Sequence, residues 1–199
     1  MELILIRHAL PLRLETTDGP ADPPLAPVGI SQAEALAGVI TPDEYDALYV
    51  SPLLRARQTA DPLAARTGLE TNIADGLAEW DRHSSSYVPL EELRRESPEV
   101  IEAMARGQWS ALGIDMGAFV TRVNTTVDAI SGSHPGQRVA VVCHGGVINA
   151  YLSRVLDLAT PLFFEPGYTS VSRVRVSRTG GRGILSINET GHLRSLRTV

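Results

Sequence analysis

Arg7 and His8 stand together at the end of a short apolar run, residues 3–6. A second apolar run, residues 47–50, ends at Ser51 and Pro52, with Arg55 just beyond. A third, residues 139–143, ends at His144, followed by Gly145 and Gly146. Two arginines and two histidines therefore close three apolar runs. Arginine offers a planar fork of donors that matches phosphate oxygens bidentately. A helix opening at Gly145 would add backbone N–H groups and a favourable dipole for an anion. One histidine ring can serve as a nucleophile, and a second can bind phosphate or handle protons. Together these residues would make a phosphate cradle without lysine and without a metal. Each taken singly reads as ordinary structure, a strand-end histidine or a solvated arginine. Only convergence makes them a site, so the elements that carry them decide the matter.

Short uninterrupted apolar runs read as buried strands, here residues 3–7, 47–50 and 139–143. Helices are predicted from Ser31 to about Val39, after Ser51 and Pro52, over 90–97, 98–106 and 117–130, and from Gly145 to about Leu158. Ser51 reads as an N-cap with Pro52 at the first helical position. Pro62 should kink or split that helix. Residues 69–80 read as extended or irregular. Two further strands, 171–176 and 184–187, flank the turn at 179–182 and predict an antiparallel hairpin. Strands alternating with helices predict an α/β domain, its sheet mostly parallel but mixed, with one antiparallel edge. In such sheets the ligand crevice lies at the carboxyl ends of the strands, where Arg7, His8, Arg55 and His144 fall.

Composition narrows the chemistry. The 199 residues predict a single domain over 1–199. All 18 basic residues are arginine, and the chain contains no lysine. That excludes Schiff-base chemistry, pyridoxal phosphate enzymes and the Walker-type phosphate loop. A net charge of −5 argues against nucleic-acid or membrane-surface partners. The single cysteine, Cys143, reads as a small buried strand residue and points to a reducing, cytoplasmic setting. The five histidines and one cysteine show no metal-ligand spacing, so no metal and no cofactor are expected. The opening run is too short for a signal peptide, and no apolar stretch reaches the ~18 residues of a membrane span. The irregular stretch 11–27, rich in proline, reads as a functional surface loop.

These pieces resemble the histidine phosphatase superfamily, also called phosphoglycerate-mutase-like. The family's opening strand ending in Arg-His-Gly is matched by Leu3-Ile4-Leu5-Ile6-Arg7-His8-Ala9. Its Leu-Thr-x-x-Gly-x-x-Gln-Ala block is matched by Leu25-Ala26-Pro27-Val28-Gly29-Ile30-Ser31-Gln32-Ala33. Its Ser-x-x-x-Arg-x-x-x-Thr-Ala block is matched by residues Ser51 to Ala60. Its Leu-x-Glu is Leu77-Ala78-Glu79, and its His-Gly-Gly is His144-Gly145-Gly146. The resemblance implies a three-layer α/β/α sandwich and a metal-independent phosphomonoesterase. It implies that His8 attacks phosphorus and becomes a phosphohistidine. Arg7, Arg55 and His144 would hold the phosphoryl oxygens, with Gly145 beside them. Glu79 would protonate the leaving oxygen and then activate water. Two positions depart from the family: Ala9 replaces a glycine and is expected to narrow the space beside the phosphate, and Ala26 replaces a threonine of structural role.

Three activities fit such a site. Hydrolysis of a small phosphorylated metabolite is favoured over a phosphoglycerate mutase. The resemblance implies lysines in the mutases, and this chain has none. It also reads Leu10-Pro11-Leu12-Arg13 where mutases carry serine and asparagine. A phosphate-binding module with a dead site ranks third, since every reactive group is present. A small cap is expected around 81–110, with Arg82, His83 and Tyr87 over the mouth and Arg13 forming the other wall. An exposed edge strand would be able to pair in a homodimer, with Arg173 and Arg175 expected to blunt that edge.

Overall fold

The computed structural model describes residues 1–197. The elements run β1 (Glu2–Arg7), β2 (Leu14–Glu15), α1 (Pro27–Val39), β3 (Ala47–Val50), α2 (Leu54–Thr67), β4 (Thr71–Ile73) and β5 (Ser86–Tyr87). They continue with α3 (Leu90–Glu96), α4 (Pro98–Ala105), α5 (Met116–Ser133), β6 (Arg138–Cys143), α6 (Gly145–Val155), β7 (Val171–Val176) and β8 (Arg182–Glu189).

Six strands form one sheet in the order β4-β3-β6-β1-β7-β8. β4, β3, β6 and β1 pair in parallel, and β7 alone runs against the rest. Both faces are covered along β1, β3 and β6, which is why these strands read as unbroken apolar runs. Leu3 and Leu5 of β1 point to the side packed by α5 and α6, through Phe119, Val123, Ile148 and Tyr151. Ile4 and Ile6 point to the opposite side, packed by α1 and α2 through Leu36, Ala56, Ala60 and Leu63. The fold is the expected three-layer sandwich with a mixed sheet.

Several local expectations change. α1 begins at Pro27, not Ser31, because proline's fixed φ suits the first helical position. Its N-cap is Ala26, which makes no side-chain bond. The threonine that the family carries there would supply one, a bond of about 0.5–2 kcal/mol. α2 begins at Leu54, so Ser51 is not its cap. The Asp22 carboxylate instead accepts from the Leu54 N–H at 2.9 and 3.0 Å, tying the proline-rich loop to the start of α2. α2 also continues through Pro62. The ring removes one helical hydrogen bond, but Ala56, Ala60 and Leu63 hold the helix on the sheet from both sides of it. Within 69–80 lie the short strand β4 and a 3-10 turn at Asp75–Leu77.

Arg173 and Arg175 do not line an edge. β7 lies between β1 and β8, and Arg173 meets Glu2, Glu44 and Glu189 at 3.2–3.5 Å. The edges of the six-stranded sheet are β4 and β8. A separate two-stranded ribbon joins β2 to β5, pairing Leu14 with Tyr87. No helix of the described residues is long and apolar enough to cross a membrane.

Candidate active site

Parallel register delivers the chemistry to one place. Arg7 lies beside Cys143 across the β1–β6 ladder, so His8 and His144 leave neighbouring strands together. Their ring centroids are 5.0 Å apart. Ser51 follows β3 and donates its N–H to Val142, which brings the third strand end alongside. Arg55 in the first turn of α2 is only 1% exposed. His8, Arg7, His144 and Glu79 are buried as well.

Geometry fixes the state of His8. Its Nδ1 lies 2.7 Å from the Ala9 carbonyl, which can only accept, so Nδ1 carries the hydrogen. Nε2 of the neutral ring then keeps its lone pair. Burial, and next the Arg55 and Arg7 charges, hold this histidine well below its ordinary pKa. Neutral imidazole with a free Nε2 is the form that can attack phosphorus. His144 places Nε2 at 2.6 Å from the Ser51 hydroxyl, and burial followed by Arg55 keeps it neutral too.

Arg7 Nε, Arg55 Nε and His144 Nδ1 are buried without a hydrogen-bond partner in the protein. Buried polar groups are normally paired, so three unpaired nitrogens around one nucleophile fit an anion with several oxygens. The rest of each arginine is anchored. Arg7 donates to the Pro166 carbonyl and stacks 4.0 Å from the Tyr168 ring centroid. Arg55 donates through Nη2 to both oxygens of Asp81 at 2.9 and 3.1 Å and lies over Tyr87. Among the described residues no cluster of three or more histidine, cysteine, aspartate or glutamate side chains is placed to hold a metal ion.

Glu79 faces this cradle from the loop after the 3-10 turn. Its carboxylate oxygens accept from the N–H groups of Gly146 at 2.7 Å and Trp80 at 3.1 Å. Burial, and next the charge of Asp81, push its carboxyl up to about 7. Gly146 has a steric reason to be glycine: a Cβ there would collide with the Trp80 ring and a Glu79 oxygen. Gly146→Ala is therefore expected to displace Glu79. A shift of about 1 Å at a reacting group costs roughly 10²-fold in turnover. Steady-state kinetics beside a thermal melt would show whether kcat falls further than stability alone explains.

The rim departs from expectation. Arg13 does not face the phosphate site; it meets Glu15 and Glu96 at 2.7–2.8 Å and Glu92 at 3.6 Å, tying the loop after β1 to α3. Arg82 is committed to the Asp75 carboxylate and carbonyl. His83 is exposed, near Asp75. The Asp75 carboxylate thus engages Arg82 before a substrate could. Gly145 does lie beside the Arg7 guanidinium. The Ala9 methyl packs with Leu25 and Ala33 in a small apolar cluster, which is why alanine is accommodated there. Ala9 N–H donates to Thr59 Oγ1 on α2.

The sequence reading missed Asp22, Asp81 and Tyr168. Tyr168 stacks on Arg7 and stands 5.9 Å from the His8 ring. Its neighbour Thr169 is buried at φ 56°, an uncommon conformation for a β-branched residue. The Thr169 hydroxyl donates to the Tyr168 carbonyl and meets His192 at 2.8 Å. Only Asp81 left a sequence signal, as a second carboxylate two residues past Glu79.

The family model of the histidine phosphatase superfamily (branch 1) matches residues 3–190. The chain belongs to the histidine phosphatase superfamily. Phosphoserine phosphatase 1 of Hydrogenobacter thermophilus is 28% identical over 97% of this chain and 94% of its own length. The metal-independent phosphoserine phosphatase of Arabidopsis thaliana is 32% identical over 80% of this chain and 70% of its own. The crystal structure of phosphoserine phosphatase from Entamoeba histolytica, solved with 3-phosphoglyceric acid, matches with a TM-score of 0.76 at 24% identity. It covers 96% of this chain and 98% of that one, and speaks for the fold. Family and relatives together make this histidine phosphatase a phosphoric monoester hydrolase.

Proposed function

We propose that this enzyme hydrolyses a small phosphorylated metabolite through a phosphohistidine on His8. The carrying observation is the free Nε2 of a neutral, buried His8 together with three unpaired buried nitrogens and a buried Glu79 held by the Gly146 N–H, two residues after His144. Nε2 attacks in line with the leaving oxygen. Arg7, Arg55 and His144 hold the phosphoryl oxygens and take up the charge that builds on them. Glu79 gives its proton to the leaving oxygen as the P–O bond breaks. The resulting carboxylate then takes a proton from the water that hydrolyses the phosphohistidine.

The relatives' names put phosphoserine first in a substrate panel, followed by sugar and glycerate phosphates. The mutase reading stays behind because no lysine is available for a substrate carboxylate, and because Arg13 is held by carboxylates. A buried lone Cys143 supports a reducing, cytoplasmic setting. The test is phosphate release from p-nitrophenyl phosphate, expected to resist EDTA and to be blocked by vanadate. Transfer between C2 and C3 of phosphoglycerate with no free phosphate would favour the mutase. Tight phosphate binding with neither reaction would leave a binding module.

A further inference from the structure

A phosphate-binding arginine beside a general acid sets up a conflict. Arg55 must be cationic for the phosphoryl group, yet a cation nearby favours the carboxylate form of Glu79 and would strip it of its proton. Asp81 stands between these demands. It lies two residues past Glu79, and its carboxylate grips Arg55 Nη2 with both oxygens. Nε, next to Nη2 on the same guanidinium, stays buried and unpaired. Asp22 approaches Nη1 at 4.0 Å and is the more exposed of the two, 40% against 22% for Asp81.

We propose that Asp81 is a positioning residue with two linked effects: it fixes the Arg55 guanidinium in place for the phosphoryl group, and it offsets the arginine's charge at Glu79 so that Glu79 holds a proton to deliver. This rests on the roles given above to Glu79 and Arg55. The groups facing Glu79 are few enough to apportion. Arg55 comes from α2, Asp81 from its own loop, and the N–H groups of Trp80 and Gly146 reach its oxygens. Arg122 of α5 is a second cation, held by the carbonyls of Gly76 and Ala78. The Cys143 thiol of β6 is pushed well up by burial and stays uncharged. Asp81 is the single negative group in this set. Its effect on Glu79 exceeds that of Arg55 in the opposite direction. An ordinary surface ion pair would be screened by water; here the arginine is almost fully buried, so the Arg55–Asp81 pair is screened less.

The experiment compares wild type, Asp81→Asn, Asp81→Glu and Glu79→Gln by pH profiles of kcat and KM. The substrates are glycerol 2-phosphate, a poor leaving group, and p-nitrophenyl phosphate, a good one. Asp81→Asn keeps an acceptor for Arg55 and removes the charge. Its alkaline limb on glycerol 2-phosphate is expected to move down by about 1 pH unit, the usual size of a single nearby charge. KM should rise less than kcat falls at pH 7. Asp81→Glu should restore most of the limb, and p-nitrophenyl phosphate should show little change. If Asp81→Asn folds poorly, the Arg55→Ala variant and its Asp81→Asn double variant replace it, since the double change removes the buried pair together. Arg55→Ala should then raise the limb and the double variant bring it back. An unmoved limb in Asp81→Asn, or in that pair, would overturn the proposal. A limb that persists in Glu79→Gln would instead overturn the role of Glu79 itself.

Discussion

His8→Ala is expected to reduce turnover to background and to abolish the acid-labile phosphoenzyme trapped from wild type. Nothing else in the cradle can replace the lost nucleophile. His144 is the nearest candidate, but its Nε2 is engaged by the Ser51 hydroxyl at 2.6 Å. Its Nδ1 is one of the three buried nitrogens without a partner in the protein. The cysteine beside it is fully buried in the sheet, its thiol pushed far above the thiolate range by burial. Phosphate binding should survive the substitution, because Arg7, Arg55 and His144 stay in place. A phosphoenzyme that persisted in His8→Ala would falsify the assignment. The pH dependence carries a sign as well. His8 is held well below 6.5, so it is already neutral across the neutral range and should impose no acidic limb there.

Glu79→Gln is expected to slow an alkyl phosphate by ~10²–10⁴-fold, the size of a general acid–base contribution. The amide keeps the shape and can still meet the Gly146 N–H, but it has no proton to give. A nitrophenolate leaving group needs little protonation, so the first step should suffer far less on p-nitrophenyl phosphate. The carboxyl sits at about 7 in the folded enzyme, above the ordinary 4.5. Below that value Glu79 is protonated and competent as an acid. As pH rises through about 7 the proton is lost, so kcat for an alkyl ester should fall on the alkaline side. Equal loss of kcat/KM, which reads the first step alone, on both leaving groups would move Glu79 from proton transfer to positioning. A value near 7 also suits both halves of the cycle, since one group must give a proton and then take one back.

The strand ends were legible because the two relevant signals are local. An apolar run buried on both faces needs no knowledge of its partners to be read as a strand. Parallel strands then put Arg7, His8, Ser51 and His144 at the same, carboxyl end of the strands. What could not be read were contacts set by loops. Ser51 looked like the N-cap of α2, yet its hydroxyl serves His144, and Asp22 supplies the cap from a loop thirty-odd residues earlier. Arg13 and Arg82 looked like free cations because their partners, Glu96 and Asp75, become neighbours only on folding. Pro62 obeyed its neighbours over its own propensity, since packing on the sheet outweighs one missing hydrogen bond. No pattern of residue types signals the left-handed Thr169 that seats Tyr168 against Arg7.

The place of β1 in the sheet also bears on how the protein is made. It is the first strand of this sheet in chain order, yet it lies inside the sheet, with Leu3 between Val139 of β6 and Val174 of β7. Both partners come from the last third of the chain. Pairings so distant in sequence are slow, because the chain must be closed into a large loop before any contact rewards it. Leu3, Ile4, Leu5 and Ile6, all fully buried at the end, are left uncovered until then. Such a nascent segment is open to mispairing and is the kind of surface that chaperones shield. Arg7 and His8 ride on that strand, so catalytic competence arrives late and all at once. A chain cut just before β7 would keep the cradle from Arg7 to Gly146 and Tyr168 as well, and still lose half of what holds Arg7 and His8 in register.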